Sequence, residues 1–127
     1  ALAALLDQMH VQAQRERLRL DPQRRLALDL LQHLREHRCA SVDSGGLARA
    51  FRYSYAHLNR VFRNAFGVSL QRRHMQLRMD AALERLIQGA TIQETAAAVG
   101  FEDYYYFLKV FKRVKGITPT QAVRRGS

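Results

Sequence analysis

The chain reads as an all-α fold in which two similar helical units flank one long helix. Three observations predict it. Apolar residues recur at helical spacing, with almost no strand-like alternation. Both prolines, Pro22 and Pro119, fall at the first position after a capping residue, Asp21 and Thr118. A stretch of the first half also returns in the second at an offset of 48 to 49 residues.

The elements follow in order. Leu2, Leu5, Leu6, Met9 and Ala13 form a stripe over residues 2–19, which ends in Arg15, Arg17 and Arg19. Leu26, Leu30, Leu31 and Leu34 share one face of a helix at 22–38. Short helices are predicted at 44–51 and 55–65, then a long one at 70–88 that Ser69 caps and Gly89 stops. Short helices return at 92–98, 104–113 and 120–124. The expected organisation is a connector or dimerisation helix at 1–20, a first lobe at 21–68, the long helix within 69–89 and a second lobe at 90–127.

The repeat carries the most information. Leu47 to Tyr53 matches Thr95 to Phe101 at an offset of 48. After one inserted residue, Leu58, Arg60, Val61, Phe62, Arg63, Gly67, Val68 and Ser69 match Phe107, Lys109, Val110, Phe111, Lys112, Gly116, Ile117 and Thr118. Each unit is a short helix, a tight turn and a second helix. Ala48 and Ala96 place a small side chain where the two helices cross. Gly100 supplies the positive φ of the turn. Ser54 and Asp103 cap the second helices. Their inward faces are Leu58, Val61 and Phe62, or Phe107, Val110 and Phe111. Their outward faces are Ala56, Asn59, Arg60 and Arg63, or Tyr105, Leu108, Lys109 and Lys112. A second helix that shows Asn and Arg outward suits base edges in a major groove, Asn on adenine and Arg on guanine.

Composition points the same way. The 127 residues carry 21 Lys+Arg against 11 Asp+Glu, a formal net charge of +10. Eighteen of the basic residues are Arg, whose planar fork fits phosphate and guanine. Net charge is +2 over residues 1–40, +5 over 41–90 and +3 over 91–127, so the excess follows the repeated units and the helix between them. With 47% hydrophobic residues, the chain has a core to bury and is no disordered basic tail. A single cysteine, Cys39, excludes an internal disulfide and fits a reducing compartment. No apolar run approaches the ~20 residues of a membrane span. The first residue is Ala rather than Met, and the chain is read as a piece of a longer protein.

The chain resembles the DNA-binding region of the AraC/XylS family of bacterial transcription regulators over about residues 23–122. The motifs that carry the resemblance are Arg78-Met79-Asp80-Ala81-Ala82, then Ile92, Ala96 and Val99-Gly100-Phe101. They continue with Tyr106-Phe107-Leu108-Lys109-Val110-Phe111-Lys112 and Gly116-Ile117-Thr118-Pro119. The resemblance implies two helix–turn–helix subdomains joined by a long linker helix at 70–88, with recognition helices at 55–65 and 104–113. It also implies duplex DNA as partner, contact with RNA polymerase, a cytoplasmic, nucleoid-associated location, and a homodimer formed through residues 1–20 or a domain outside this chain. Within that frame Asn59 and Arg60 are expected to touch bases, with Ala56 allowing close approach or meeting a thymine methyl. Tyr104, Tyr105 and Lys109 take the base-facing role in the second lobe. Ser54, His57, Arg63, Lys112 and Arg113 are expected on phosphates.

Three departures stand out. Arg52 occupies the first turn, where a residue tolerant of positive φ is usual, and Gly45 and Gly46 weaken the helix before it. Tyr104 and Tyr105 replace smaller outward residues and serve equally as a packed aromatic corner. Ala122 stands where an aromatic often closes the last helix, which leaves the packing of 119–124 open. His33, His37 and Cys39 lie within seven residues, but nothing completes a tetrahedral set, so no metal is expected. No phosphate loop, nucleophile elbow or carboxylate pair appears, so neither cofactor nor enzyme is expected. The competing function is a protein-interaction or dimerisation module with nonspecific nucleic-acid affinity, carried by the apolar stripe near the start.

Overall fold

The computed structural model describes residue 4 and residues 7–12, 21–39 and 43–126. Residues 7–12 are helical, and Met9 and Val11 are exposed there. The rest of the 2–19 stripe, apart from residue 4, lies outside the described residues. Seven further helices follow: α1 Pro22–Glu36, α2 Ser44–Phe51, α3 Tyr55–Phe66, α4 Leu70–Ile87, α5 Ile92–Ala98, α6 Tyr104–Lys115 and α7 Pro119–Gly126. The described residues contain no strand.

Local chemistry starts and stops these helices. Asp21 Oδ1 accepts from Arg24 N at 2.9 Å ahead of Pro22, and Ser54 Oγ accepts from His57 N at 3.2 Å. Ser69 Oγ accepts from Arg72 N, and Asp103 Oδ1 from Tyr106 N, both at 3.1 Å. Thr91 and Glu94 form a capping box at the head of α5. Asp43, which precedes the predicted helix at 44, accepts from Gly46 N and so secures an otherwise glycine-weakened first turn. Helices α3 and α6 end identically: Gly67 and Gly116 both sit at φ 77°, each donating its N–H at 2.8 Å to the carbonyl four residues back. That cap lets α6 run two residues past its predicted end at 113.

Two hydrophobic clusters form. The first gathers Leu30 and Leu34 of α1, Leu47 of α2, Leu58 and Phe62 of α3, and Leu70 of α4. The second gathers Met79, Ala81, Ala82 and Leu86 of α4 with Ala96, Val99, Phe101, Phe107, Val110, Phe111 and Ala122. The repeat-related Phe62 and Phe111 are each fully buried at the heart of their cluster. Ala122 is also buried, so the last helix closes on α4 with a small residue rather than an aromatic one.

α4 serves both clusters. Leu70 and Leu77 pack toward the first, Met75, Met79, Ala81, Ala82, Leu83 and Leu86 toward the second. Two apolar stripes on different faces explain why this helix lacks one clean amphipathic face. At 18 residues it is about 27 Å long.

Further contacts fasten the chain to this rod. Arg38 forms a two-pronged ion pair with Glu84, at 2.8 and 3.2 Å. The bond raises the pKa of Arg38 and lowers that of Glu84. His74 Nε2 lies 3.2 Å from the His37 carbonyl, and Lys115 pairs with Asp80. Cys39, which follows α1 of the first lobe, packs on the second cluster.

Candidate nucleic-acid interface

The two turns differ in the residue that bears the positive φ. Gly100 takes φ 86°, as its place in the repeat predicts. Arg52 takes φ 60° and ψ 34°, and it is the only non-glycine residue at positive φ among the described residues. The first turn therefore holds an arginine in a backbone state that costs about 1–2 kcal/mol. Its N–H donates to the Ala48 carbonyl at 2.9 Å, which keeps α2 terminated despite the strain.

The second turn is held from outside. Arg78 of α4 donates from Nε to the Val99 carbonyl at 2.9 Å, and its guanidinium carbon lies 4.4 Å above the centre of the Phe101 ring. Burial pulls the pKa of Arg78 below the ordinary guanidinium value. A side chain at Gly100 would place its Cβ 3.0 Å from Arg78 Nη2. Glycine is needed there for space as well as for φ.

On α3, Ala56, Arg60 and Arg63 are exposed at the surface, as the outward face requires. Ser54 is exposed too; its oxygen already accepts the capping bond, which leaves the hydroxyl proton to donate elsewhere. Arg60 Nη2 lies 3.2 Å from His57 Nδ1, and the His57 ring in turn sits 4.9 Å from the ring of Tyr53. Tyr53, His57 and Arg60 thus form one row beside the start of α3. Sequence reasoning passed over Tyr53 because it matched Phe101 in the repeat. Phe101 is buried under Arg78, whereas Tyr53 is half exposed.

Asn59 differs from expectation. It is half-buried, and its Oδ1 accepts from Leu70 N at 3.0 Å, across to the first residue of α4. The position is turned toward the linker helix rather than fully outward. Its repeat partner Leu108 is likewise half-buried and packs on the second cluster. The physical reason is the neighbouring helix start: a first-turn N–H has no partner within its own helix and needs an acceptor from elsewhere.

On α6, Tyr105 stands 75% exposed, the most open of the large hydrophobic residues described. Lys109, Lys112 and Arg113 are exposed as well. Tyr104 is half-buried against the second cluster, its ring edge-on to Tyr105 at 5.5 Å, so it is a packed aromatic rather than an outward one. Tyr106 is half exposed and contacts Phe101. The offset of 49 puts it at the place of His57, the signal by which it was findable. Tyr106 and Arg113 line one side of a cleft of about 460 Å³ whose other side is Ser69, Gln71, Arg72 and Met75 of the linker region. His33 and His37 stack at 4.2 Å, with His37 Nδ1 within 2.8 Å of the His33 carbonyl.

A family profile described as a helix-turn-helix domain matches residues 47–125. The chain belongs to that family, the AraC-type helix–turn–helix domains, which bind DNA and are not enzymes. It is 31% identical over 81 residues to the HTH-type transcriptional regulator NimR of Escherichia coli, covering 64% of this chain and 30% of NimR. It is 27% identical over 120 residues to the HTH-type transcriptional regulator YisR of Bacillus subtilis, covering 92% of this chain and 42% of YisR. The chain thus spans less than half the length of these curated relatives. Among solved structures, the C-terminal domain of AraT, a response regulator from Geobacillus stearothermophilus, superposes with a TM-score of 0.75 at 27% identity. That match covers 84% of this chain and 88% of the AraT domain. Double-stranded DNA is the partner this domain class takes. No helix among the described residues is long and apolar enough to cross a membrane.

Proposed function

We infer that this chain recognises a bipartite, non-palindromic DNA site, with α3 and α6 entering two neighbouring major-groove segments, and so regulates transcription. The observation that carries the reading is the doubled unit on one rod. Helices α3 and α6 are both 12 residues long, carry matching caps and matching buried residues, and are joined through a helix about 27 Å in length. Successive major-groove faces of B-DNA lie about 34 Å apart. The domain division follows: lobe 21–68, linker 69–89, lobe 90–127.

In this reading Arg60 contacts a base edge, and Ala56 admits close approach or meets a thymine methyl. Tyr105 and Lys109 face the second groove segment. Ser54, His57, Arg63, Lys112 and Arg113 lie on the phosphates. Contact with RNA polymerase, pairing of two copies through residues 1–20 or a segment outside this chain, and a cytoplasmic, nucleoid-associated location belong to the same reading.

Footprinting on a selected duplex tests it, together with a salt titration. Protection of two major-groove segments on one side of the duplex is the expected result. If 6–10 phosphates are neutralised, affinity falls about 10³–10⁵-fold between 50 and 200 mM salt. Protection of a single segment, or affinity indifferent to salt, contradicts the reading.

A further inference from the structure

We propose that Asn59 is a positioning residue: its side-chain carbonyl sets the angle of recognition helix α3 against linker helix α4 and leaves base reading in the first lobe to its neighbours. The inference rests on the DNA-binding role proposed above and deepens it.

The first turn of α4 has donors that must find acceptors outside the helix. Ser69 supplies one, its Oγ to Arg72 N at 3.1 Å, while its carbonyl opens the regular helical ladder at Arg73 N, 3.0 Å away. The Leu70 N–H is left over at a position whose side chain is fully buried in the first cluster. Asn59 Oδ1 takes it at 3.0 Å, bridging α3 and α4 across eleven residues of chain. Bidentate recognition of adenine requires this same carbonyl to accept from the base N6 while the amide donates to N7. Turning this oxygen away from Leu70 to meet a base would strip a part-buried helix N–H of its acceptor.

The second lobe supplies an internal control. Shifted by 49 residues, Asn59 and Leu70 become Leu108 and Pro119. Proline has no N–H to satisfy. The start of α7 is complete without an acceptor from α6, since the side chains of Gln121 and Thr118 accept from each other's backbone N–H at 2.9 and 3.1 Å. With no donor to meet, the position on α6 is free to be apolar, and Leu108 packs on the second cluster. The two positions change together between repeats in the sense hydrogen-bond satisfaction requires. A base-reading asparagine would give no reason for Pro119 to accompany Leu108.

Amide hydrogen exchange at Leu70, measured on the free chain, tests the link without DNA. Asn59→Ala is expected to speed exchange at Leu70 about tenfold while distant amides of both cores keep their protection. Asn59→Asp keeps an acceptor of the same reach at a helix start that favours negative charge, and is expected to restore the protection. With random duplex pools, Asn59→Ala is expected to bind all sequences about tenfold more weakly while preferring the same bases as the wild type. Unchanged Leu70 exchange in Asn59→Ala, or relaxed preference confined to one base pair, overturns the proposal. Failure of the wild type to enrich any sequence would defeat the DNA reading alone, with Leu70 exchange still deciding whether Asn59 holds the helix. Should Asn59→Ala not fold, protected Leu70 and wild-type base preference in Asn59→Asp support the proposal, and altered preference overturns it.

Discussion

Arg78 Nε donates to the Val99 carbonyl at 2.9 Å, and this one bond fastens the linker helix to the turn of the second helix–turn–helix unit. The guanidinium covers the Phe101 ring as well. Removing both contacts with Arg78→Ala is expected to destabilise the chain by about 2–3 kcal/mol, read from urea unfolding. Gly100→Ala is expected to be worse than Gly67→Ala. Both bear a positive φ, but only the Cβ at Gly100 meets a neighbour, Arg78 Nη2, whereas the space around Gly67 is open. Equal losses at the two glycines would show that Arg78 does not confine the turn.

The strained first turn makes the opposite prediction. Arg52 holds φ 60°, at about 1–2 kcal/mol, while glycine there would add about 0.5–1 kcal/mol of chain entropy to the unfolded state. Arg52→Gly is thus expected to raise stability by about 0.5–1 kcal/mol, visible as a higher urea midpoint with an unchanged slope. A fall in the midpoint would mean that the arginine side chain makes contacts worth more than its backbone strain.

The proposed base contact of Arg60 has its own signature. Arg60→Ala is expected to weaken binding to the best site by about 1–3 kcal/mol and to relax preference at one base pair. His57, whose Nδ1 lies 3.2 Å from the Arg60 guanidinium, orients that side chain, so His57→Ala should blur the same base pair to a lesser degree. A uniform loss on every sequence would mark Arg60 as a phosphate contact.

Acid should loosen the first lobe through His33. Burial, and next the charge of stacked His37, hold its pKa below the ordinary 6.5. The unfolded chain takes up the proton near 6.5 and the folded chain resists it, so stability rises with pH across the interval between the two values. Stability should fall as pH drops through 6.5, and His33→Gln should flatten that slope. An unchanged slope in His33→Gln would assign the effect to another group.

Much of this structure was legible because its determinants are local. Ser54, Ser69 and Asp103 cap helices within three residues of themselves, and Gly67 and Gly116 end theirs in the left-handed region. Even the anomalous Arg52 followed from its place in the repeat. Illegible were features settled between elements. Asn59 reads as an outward polar residue until Leu70 N appears beside it, and Arg38 gives no hint of Glu84, 46 residues away. Tyr104 carries the same residue type as Tyr105, yet the second cluster claims one ring and solvent the other. A sequence pattern assigns a face to a residue, but competing acceptors and packing decide which way a half-exposed position turns.

Selection of bound sequences from a random duplex pool tests the bipartite reading most directly. Two short enriched blocks, their centres about one helical turn apart and unrelated by a twofold axis, are the predicted outcome for a single copy of the chain. A single block, a palindrome, or no enrichment would contradict it.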